Sequence, residues 1–141
     1  MATKARTLVD TNILLDVFSR DPRWWRWSVT RLEEAAQEGP LLINDIIYAE
    51  SSIRFPDAAG FDAVLEDMGV TVAPFSRLVP FVAGKAFAVY REAGGSRDRV
   101  LPDFFIGAHA EVERLPLLTR DARRYRTYFP NVALIAPDSA P

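Results

Sequence analysis

The sequence contains no cysteine. Disulfides and thiolate metal sites are therefore excluded, and a reducing, cytoplasmic setting is expected. It has one histidine, His109, and its only lysines are Lys4 and Lys85. No apolar run approaches the ~20 residues of a membrane span, and no signal-peptide core follows Met1–Arg6. There is no surplus of positive charge either: 17 Lys and Arg against 19 Asp and Glu give a formal net charge of -2. Proteins that coat nucleic acid through bulk charge are usually basic, so any such contact here has to be local and metal-assisted. No internal repeat or low-complexity tract is visible.

What is present is ordinary globular material. Hydrophobic residues make up 49% and charged residues 26% of 141 residues, which suits a single domain, 1–141, with a real core. Residues 136–141 are expected to fray. Short apolar runs read as strands at Arg6–Val9, Leu41–Asn44, Val70–Ala73, Leu115–Thr119 and Val132–Ile135. Helical stretches lie between them: Ile13–Phe18, Asp21–Glu38, Ile46–Phe55, Ala58–Met68, Ser76–Ala93, Phe104–Arg114 and Ala122–Thr127. Strict alternation of strand and helix predicts an α/β fold, a mainly parallel five-stranded sheet with helices on both faces. The Ser76–Ala93 helix is apolar over more than one face, so it is either deeply buried or shared with a second subunit.

The chain is organised around Leu8-Val9-Asp10-Thr11-Asn12. A buried strand ends in an acid, where ligand chemistry sits in open α/β sheets; the plainer reading is a helix cap. Asp121 likewise follows a strand, Glu50 lies in the helix after the second strand, and Asp103 begins the helix that feeds strand four. Asn12 and Thr119 add neutral oxygens beside Asp10 and Asp121. If the four acids share one pocket, two like charges ~5 Å apart repel by roughly 3 kcal/mol at an effective dielectric near 20. A hard divalent cation would remove that conflict, activate a water and stabilise charge on a phosphodiester oxygen. Spacing alone leaves open that they are four unrelated caps and surface acids.

Taken in order, Leu8-Val9-Asp10-Thr11-Asn12, Tyr48-Ala49-Glu50, Pro102-Asp103-Phe104-Phe105-Ile106-Gly107-Ala108-His109-Ala110 and Leu118-Thr119-Arg120-Asp121 resemble the successive acidic motifs of PIN-domain ribonucleases. The nearest resemblance is to VapC-type toxins of bacterial toxin–antitoxin pairs, and Arg120–Pro130 is similar to the ending of that group. The match runs from Leu8 to Pro130, and no acid of the pattern is missing. The resemblance implies a three-layer α/β/α sandwich and Mg²⁺- or Mn²⁺-dependent hydrolysis of RNA. It makes Asp10, Glu50, Asp103 and Asp121 catalytic and metal-holding, with Asn12 and Thr119 in support. It also implies a homodimer silenced by a cognate VapB-type antitoxin that occupies the acidic groove.

Other residues carry weaker signals. Arg120, Arg123 and Arg124 beside Asp121, with Arg97 and Arg99 before Asp103, are either a phosphate-contact edge or a solvated face that offsets the acids. Tyr125 is expected in the core rather than stacked on a base. His109 lies about 120° around its helix from Asp103, so a structural or surface role is expected. On the second helix Trp25, Val29, Leu32 and Ala36 form the expected inward face, with Trp24 flanking it. Trp27 falls opposite, on a polar face, and is a candidate partner contact. Two other functions fit parts of the pattern. One is a PIN-fold module that binds RNA or protein without cutting. The other is a phosphotransfer domain using Asp10, but Asn12 stands where one such class needs a second Asp, and Lys85 is misplaced for a catalytic lysine.

Overall fold

The strands are short, and the three central ones are buried, as their apolar sequences lead one to expect. A computed structural model describes residues 5–96 and 100–138. Thr7–Val9 (β1), Leu41–Ile43 (β2), Val70–Val72 (β3), Leu117–Leu118 (β4) and Leu134–Ile135 (β5) form one five-stranded sheet in the order β3-β2-β1-β4-β5. Every pairing is parallel. β1, β2 and β4 are buried along their whole length, as expected for apolar runs covered on both faces. The chain winds outward from β1 through β2 to β3, then returns to the other side of β1 as β4 and β5. Strand order therefore reverses between β1 and β4, and the crevice outside their carboxyl ends is where open α/β sheets place ligands.

The helices are α1 (Thr11–Ser19), α2 (Trp25–Glu38), α3 (Asp45–Ser51), α4 (Ala58–Met68), α5 (Leu78–Glu92), α6 (Leu101–Glu113) and α7 (Arg123–Tyr128). Local chemistry sets their ends. Asp10 caps α1, Asn44 caps α3 and Asp57 caps α4, each carboxylate or amide oxygen accepting a backbone N–H. Gly69 closes α4 in the left-handed region at φ 73, which costs glycine nothing. Three helices differ from the sequence expectation by three residues or more at one end. α2 begins at Trp25, because Asp21 accepts from the N–H groups of Arg23 and Trp24 and builds a turn first. α3 stops at Ser51, short of Phe55, whose ring turns back onto Phe18 and Phe61 at 5.3 and 4.7 Å. α6 starts at Leu101, with Pro102 in its first turn, so Asp103 lies inside the helix rather than ahead of it.

The inward face of α2 is also rotated from the expected one. Ser28, Leu32 and Ala35 are buried, while Trp24, Trp25 and Val29 are half-buried and Ala36 is exposed. Ser28 explains the shift: its hydroxyl donates to the buried Asp16 carboxylate at 2.7 Å, so a polar residue occupies the inward stripe. Trp27 is half-buried against the core and meets Trp24 edge-on at 5.9 Å, so it does not stand on a solvent face as expected. Val29, Leu32 and Ala36 instead line an apolar groove with Val17, Leu41 and Met68. On α5, Val79 and Ala83 are buried, whereas Leu78, Phe81 and Val89 stay exposed. No described helix is long and apolar enough to cross a membrane.

α6 approaches the α7 end closely at Gly107. A Cβ there would run into the Phe129 ring, which is itself 1% exposed. Ala substitution gains helix propensity of about 1 kcal/mol, but the ring has no solvent to move into. Gly107→Ala should therefore destabilise the fold by a net ~1–3 kcal/mol, read as a lower denaturation midpoint. A midpoint at or above wild type would show that Phe129 can shift freely.

Candidate functional site

β1 delivers Asp10 to the crevice, where the chain turns into α1. The carboxylate is 4% exposed, and four donors converge on it. Oδ1 accepts the Thr11 N–H at 2.7 Å, while Oδ2 accepts the Thr119 hydroxyl at 2.8 Å, the Tyr125 hydroxyl at 2.9 Å and, more distantly, the Asn12 amide at 3.4 Å. Thr119 follows β4 and is fully buried. It also accepts from the Asn12 amide at 3.2 Å and from the Asp121 N–H at 3.1 Å. The two neighbouring strand ends are thus tied together through one acid and one hydroxyl.

α3 supplies Glu50, whose Oε1 accepts from the Thr11 hydroxyl at 2.7 Å. α6 supplies Asp103, which pairs with Arg124 of α7. Asp121 is exposed, just past β4. Asp10, Glu50, Asp103 and Asp121 all line one pocket, together with Thr11, Asn12, Leu15, Arg124 and Tyr125. Sequence reasoning missed Thr11 and the Tyr125 hydroxyl. The Tyr125 ring is buried as expected, and nothing in its spacing reveals that its oxygen reaches Asp10.

The electrostatics show crowding. Burial, with the nearby Asp103 charge adding to it, pushes the Asp10 carboxyl from 3.8 up to about 7, against the lowering effect of its hydrogen bonds. Burial also raises Asp103; Glu50 and Asp121 add to this, and Arg124 opposes it. The Tyr125 hydroxyl is raised well above its ordinary 10.0, mainly by burial and then by the Asp10 charge, so it remains a donor.

Among the described residues no three acidic or histidine side chains stand close enough to hold a metal ion as placed. The donor set nevertheless fits a hard divalent ion: carboxylate, hydroxyl and amide oxygens surround the pocket, with no thiolate or imidazole lining it. Mg²⁺ keeps several waters and needs only one or two direct carboxylates, so an open arrangement does not conflict with it.

The arginines divide. Arg120 does not face solvent as a free cation: its Nε donates to both Asp16 oxygens at 3.1 and 2.9 Å, and its guanidinium lies 5.4 Å from the Trp24 ring. A buried carboxylate needs that partner, which is why Arg120 is drawn inward. Arg124 is paired with Asp103, and Arg123 is exposed. Arg97 and Arg99 lie outside the described residues. His109 is buried and shares a 3.0 Å hydrogen bond with Asn44, and burial lowers its pKa. It has a structural place under α3, not one in the pocket.

A parallel α/β domain with an acidic pocket at its topological switch point is the class defined by fold and site together. The chain belongs to the PIN-domain family, whose family model matches residues 7–130. Among curated proteins nothing matches. Solved structures do. VapBC2 of Rickettsia felis, bound to a DNA fragment from its promoter, superposes with TM-score 0.73 at 21% identity, covering 94% of this chain and 99% of the other. VapBC-1 of nontypeable Haemophilus influenzae gives 0.70 at 16% identity, covering 93% and 97%. A toxin–antitoxin complex from Klebsiella pneumoniae gives 0.60 at 26% identity, covering 90% and 95%.

The raised Asp10 pKa has a signed consequence for stability. The fold favours the neutral carboxyl, so this contribution is complete below 3.8 and is lost as pH rises through about 7. In a chelator-containing buffer, the denaturant midpoint should fall between about pH 5 and about pH 8. His109, whose pKa burial lowers, gains stability as pH rises over the same interval, so the fall is assigned by comparison with Asp10→Asn; an equal pH dependence in that variant would mean Asp10 is not held neutral by its surroundings.

Proposed function

We propose that this protein is a divalent-metal-dependent endoribonuclease toxin of the VapC type, held inactive by a cognate VapB-type antitoxin. The observation that carries the proposal is the convergence of Asp10, Glu50, Asp103 and Asp121, from four separate parts of the chain, on one pocket. Fold similarity to VapBC complexes supports it.

In this reading Asp10, Glu50, Asp103 and Asp121 hold Mg²⁺ or Mn²⁺. The ion would supply a polarised water and charge stabilisation at the phosphodiester. The chain's own groups do the positioning. Thr119, Tyr125 and the Thr11 N–H fix the orientation of Asp10. The Thr11 hydroxyl fixes Glu50. Arg124 offsets the charge of Asp103. Such locked orientations are what an electrostatic site requires, since the dipoles need not reorganise during the reaction. Asp10→Ala should abolish cleavage of RNA and the growth arrest caused by expression while the protein stays folded. End-mapping of cellular RNA after brief induction checks it, and a fully toxic Asp10→Ala protein would overturn the proposal.

The same reading includes two partners. An antitoxin helix suits the apolar groove between α1, α2 and α4, where Val17, Val29, Ala36 and Met68 stand partly open over the buried Leu32. A second copy of the chain suits α5, whose Leu78, Phe81 and Val89 are 53%, 61% and 56% exposed. Phe81→Glu should convert a dimer to a monomer in sedimentation equilibrium without changing the helical signal. Dimerisation unaffected by that change would place the contact elsewhere.

A non-cleaving binding module is the second reading, favoured by the lack, among the described residues, of three acids grouped closely enough to hold a metal as placed. Calorimetry with Mn²⁺ separates the two: tight RNA binding without metal uptake would favour the module. Phosphotransfer through Asp10 has less support, because Asn12 stands where one such class needs a second Asp and Lys85 lies within a helix, misplaced for a catalytic lysine.

A further inference from the structure

A pocket of four carboxylates repels the polyanion it is meant to cut. The chain's net charge of -2 supplies no general attraction. The substrate therefore needs a local cationic seat beside the acids, and the surface offers one. A second pocket, lined by Tyr90, Asp121, Arg123, Arg124, Thr127 and Tyr128, adjoins the acidic pocket and shares Asp121 and Arg124 with it.

The walls of this second pocket are pre-set. The Tyr90 ring is stacked on Phe87 at 5.9 Å and meets Tyr128 edge-on at 5.6 Å, and Tyr128 rests on Phe104 at 5.4 Å. Arg124 is held between Asp103 and the Tyr90 ring, 5.8 Å from its centroid. Only one of its N–H donors is used in the described hydrogen bonds, and a guanidinium has five. Arg123 is exposed and makes no ion pair among the described residues. The other cavities lack this combination. The groove against α2 is apolar. The cavity around Arg114 and Asn131 precedes β4 and β5, at the opposite end of the strands.

We infer that the pocket between Arg123 and Tyr128 seats the ribonucleotide unit next to the scissile phosphate, with Arg123 and Arg124 on its backbone phosphate and Tyr128 against its sugar or base. The inference rests on the RNA-cleaving reading above. It assigns substrate anchoring to α7 and removes Arg120, which is spent on Asp16, from the contact set.

Two variants probe it without touching the acids: Arg123→Ala, which removes an exposed cation, and Thr127→Trp, which fills the pocket from an exposed position. Arg26→Ala, an exposed arginine on α2, is the control. Cleavage of a labelled oligoribonucleotide should show KM raised about tenfold in both variants with kcat within about twofold. Binding of the same RNA in chelator, read by anisotropy, should weaken in parallel, and Arg123→Ala should lower the salt slope by about one. Mn²⁺ affinity should be unchanged, which a merely misfolded pocket would not give. A thiouridine-substituted RNA should cross-link within Arg123–Tyr128. If wild type cuts RNA and both variants keep their KM, the seat is elsewhere and the nuclease reading survives. If wild type binds but does not cut, and the variants lose binding, the seat stands and the nuclease reading fails. If wild type neither binds nor cuts, both fall.

Discussion

The Asp10 carboxylate sits where the central strand gives out, and its environment is contradictory in a way that shapes everything near it. Burial and the Asp103 charge push its proton on, while Thr119, Tyr125 and the Thr11 N–H stabilise the anion. None of these donors is close to Asp10 in the chain except Thr11. Thr119 arrives by way of β4 and Tyr125 by way of α7. Keeping one buried acid satisfied therefore requires β1, β4 and α7 to be in register at once. A buried polar group left unsatisfied costs about 1–3 kcal/mol, so the cluster specifies the packing of three elements as well as the pocket.

The same logic recurs nearly two turns further along α1. Asp16 is buried and is satisfied by Ser28 of α2 and by Arg120 after β4. The Arg120 N–H also donates to the Asn12 side chain at 3.2 Å. Two acids spaced along one helix thus fasten it to both neighbours, one at the pocket and one behind it. This has a functional cost: the cation nearest in sequence to Asp121 is consumed in architecture. Among the described residues, positive charge near the pocket then comes from α7, where Arg124 leans on Asp103 and Arg123 faces outward.

The backbone order was legible because it rests on period and punctuation. Short apolar runs, cap residues such as Asn44 and Asp57, and breakers such as Gly69 give strands and helices close to those observed, α4 to the residue. The acids' shared pocket was legible only through the family resemblance, since spacing carries no information on which strand ends become neighbours. What stayed hidden is polar and tertiary. Ser28 turned the α2 face because a hydroxyl was needed against Asp16, and hydrophobic periodicity scores such a residue as outward. Tyr125 looked like core because most of it is core; one oxygen at its tip belongs to the pocket. Trp27 was expected to stand on the polar face with Arg31 and Glu34, yet the indole packs on Trp24 and lies 5.8 Å from the Arg31 guanidinium, which also pairs with Glu34 at 3.2 Å.

The proposed division of labour between the two neighbouring pockets, metal in one and RNA in the other, rests on charge. A site that gathers anions to bind a cation cannot also attract a polyanion, so capture and chemistry have to be separated in space yet remain contiguous. Arg124 meets that requirement, because it borders both pockets and is held by an acid on one side and an aromatic face on the other. Held this way, it lowers the repulsion at Asp103 while keeping donors for a phosphate, and a lysine would do this poorly because it presents a point charge rather than a planar fork. The near-absence of lysine from this chain and the gathering of arginine around Asp121 are consistent with that constraint. It is the geometry of the cation, more than the number of cations, that lets an acidic protein approach RNA.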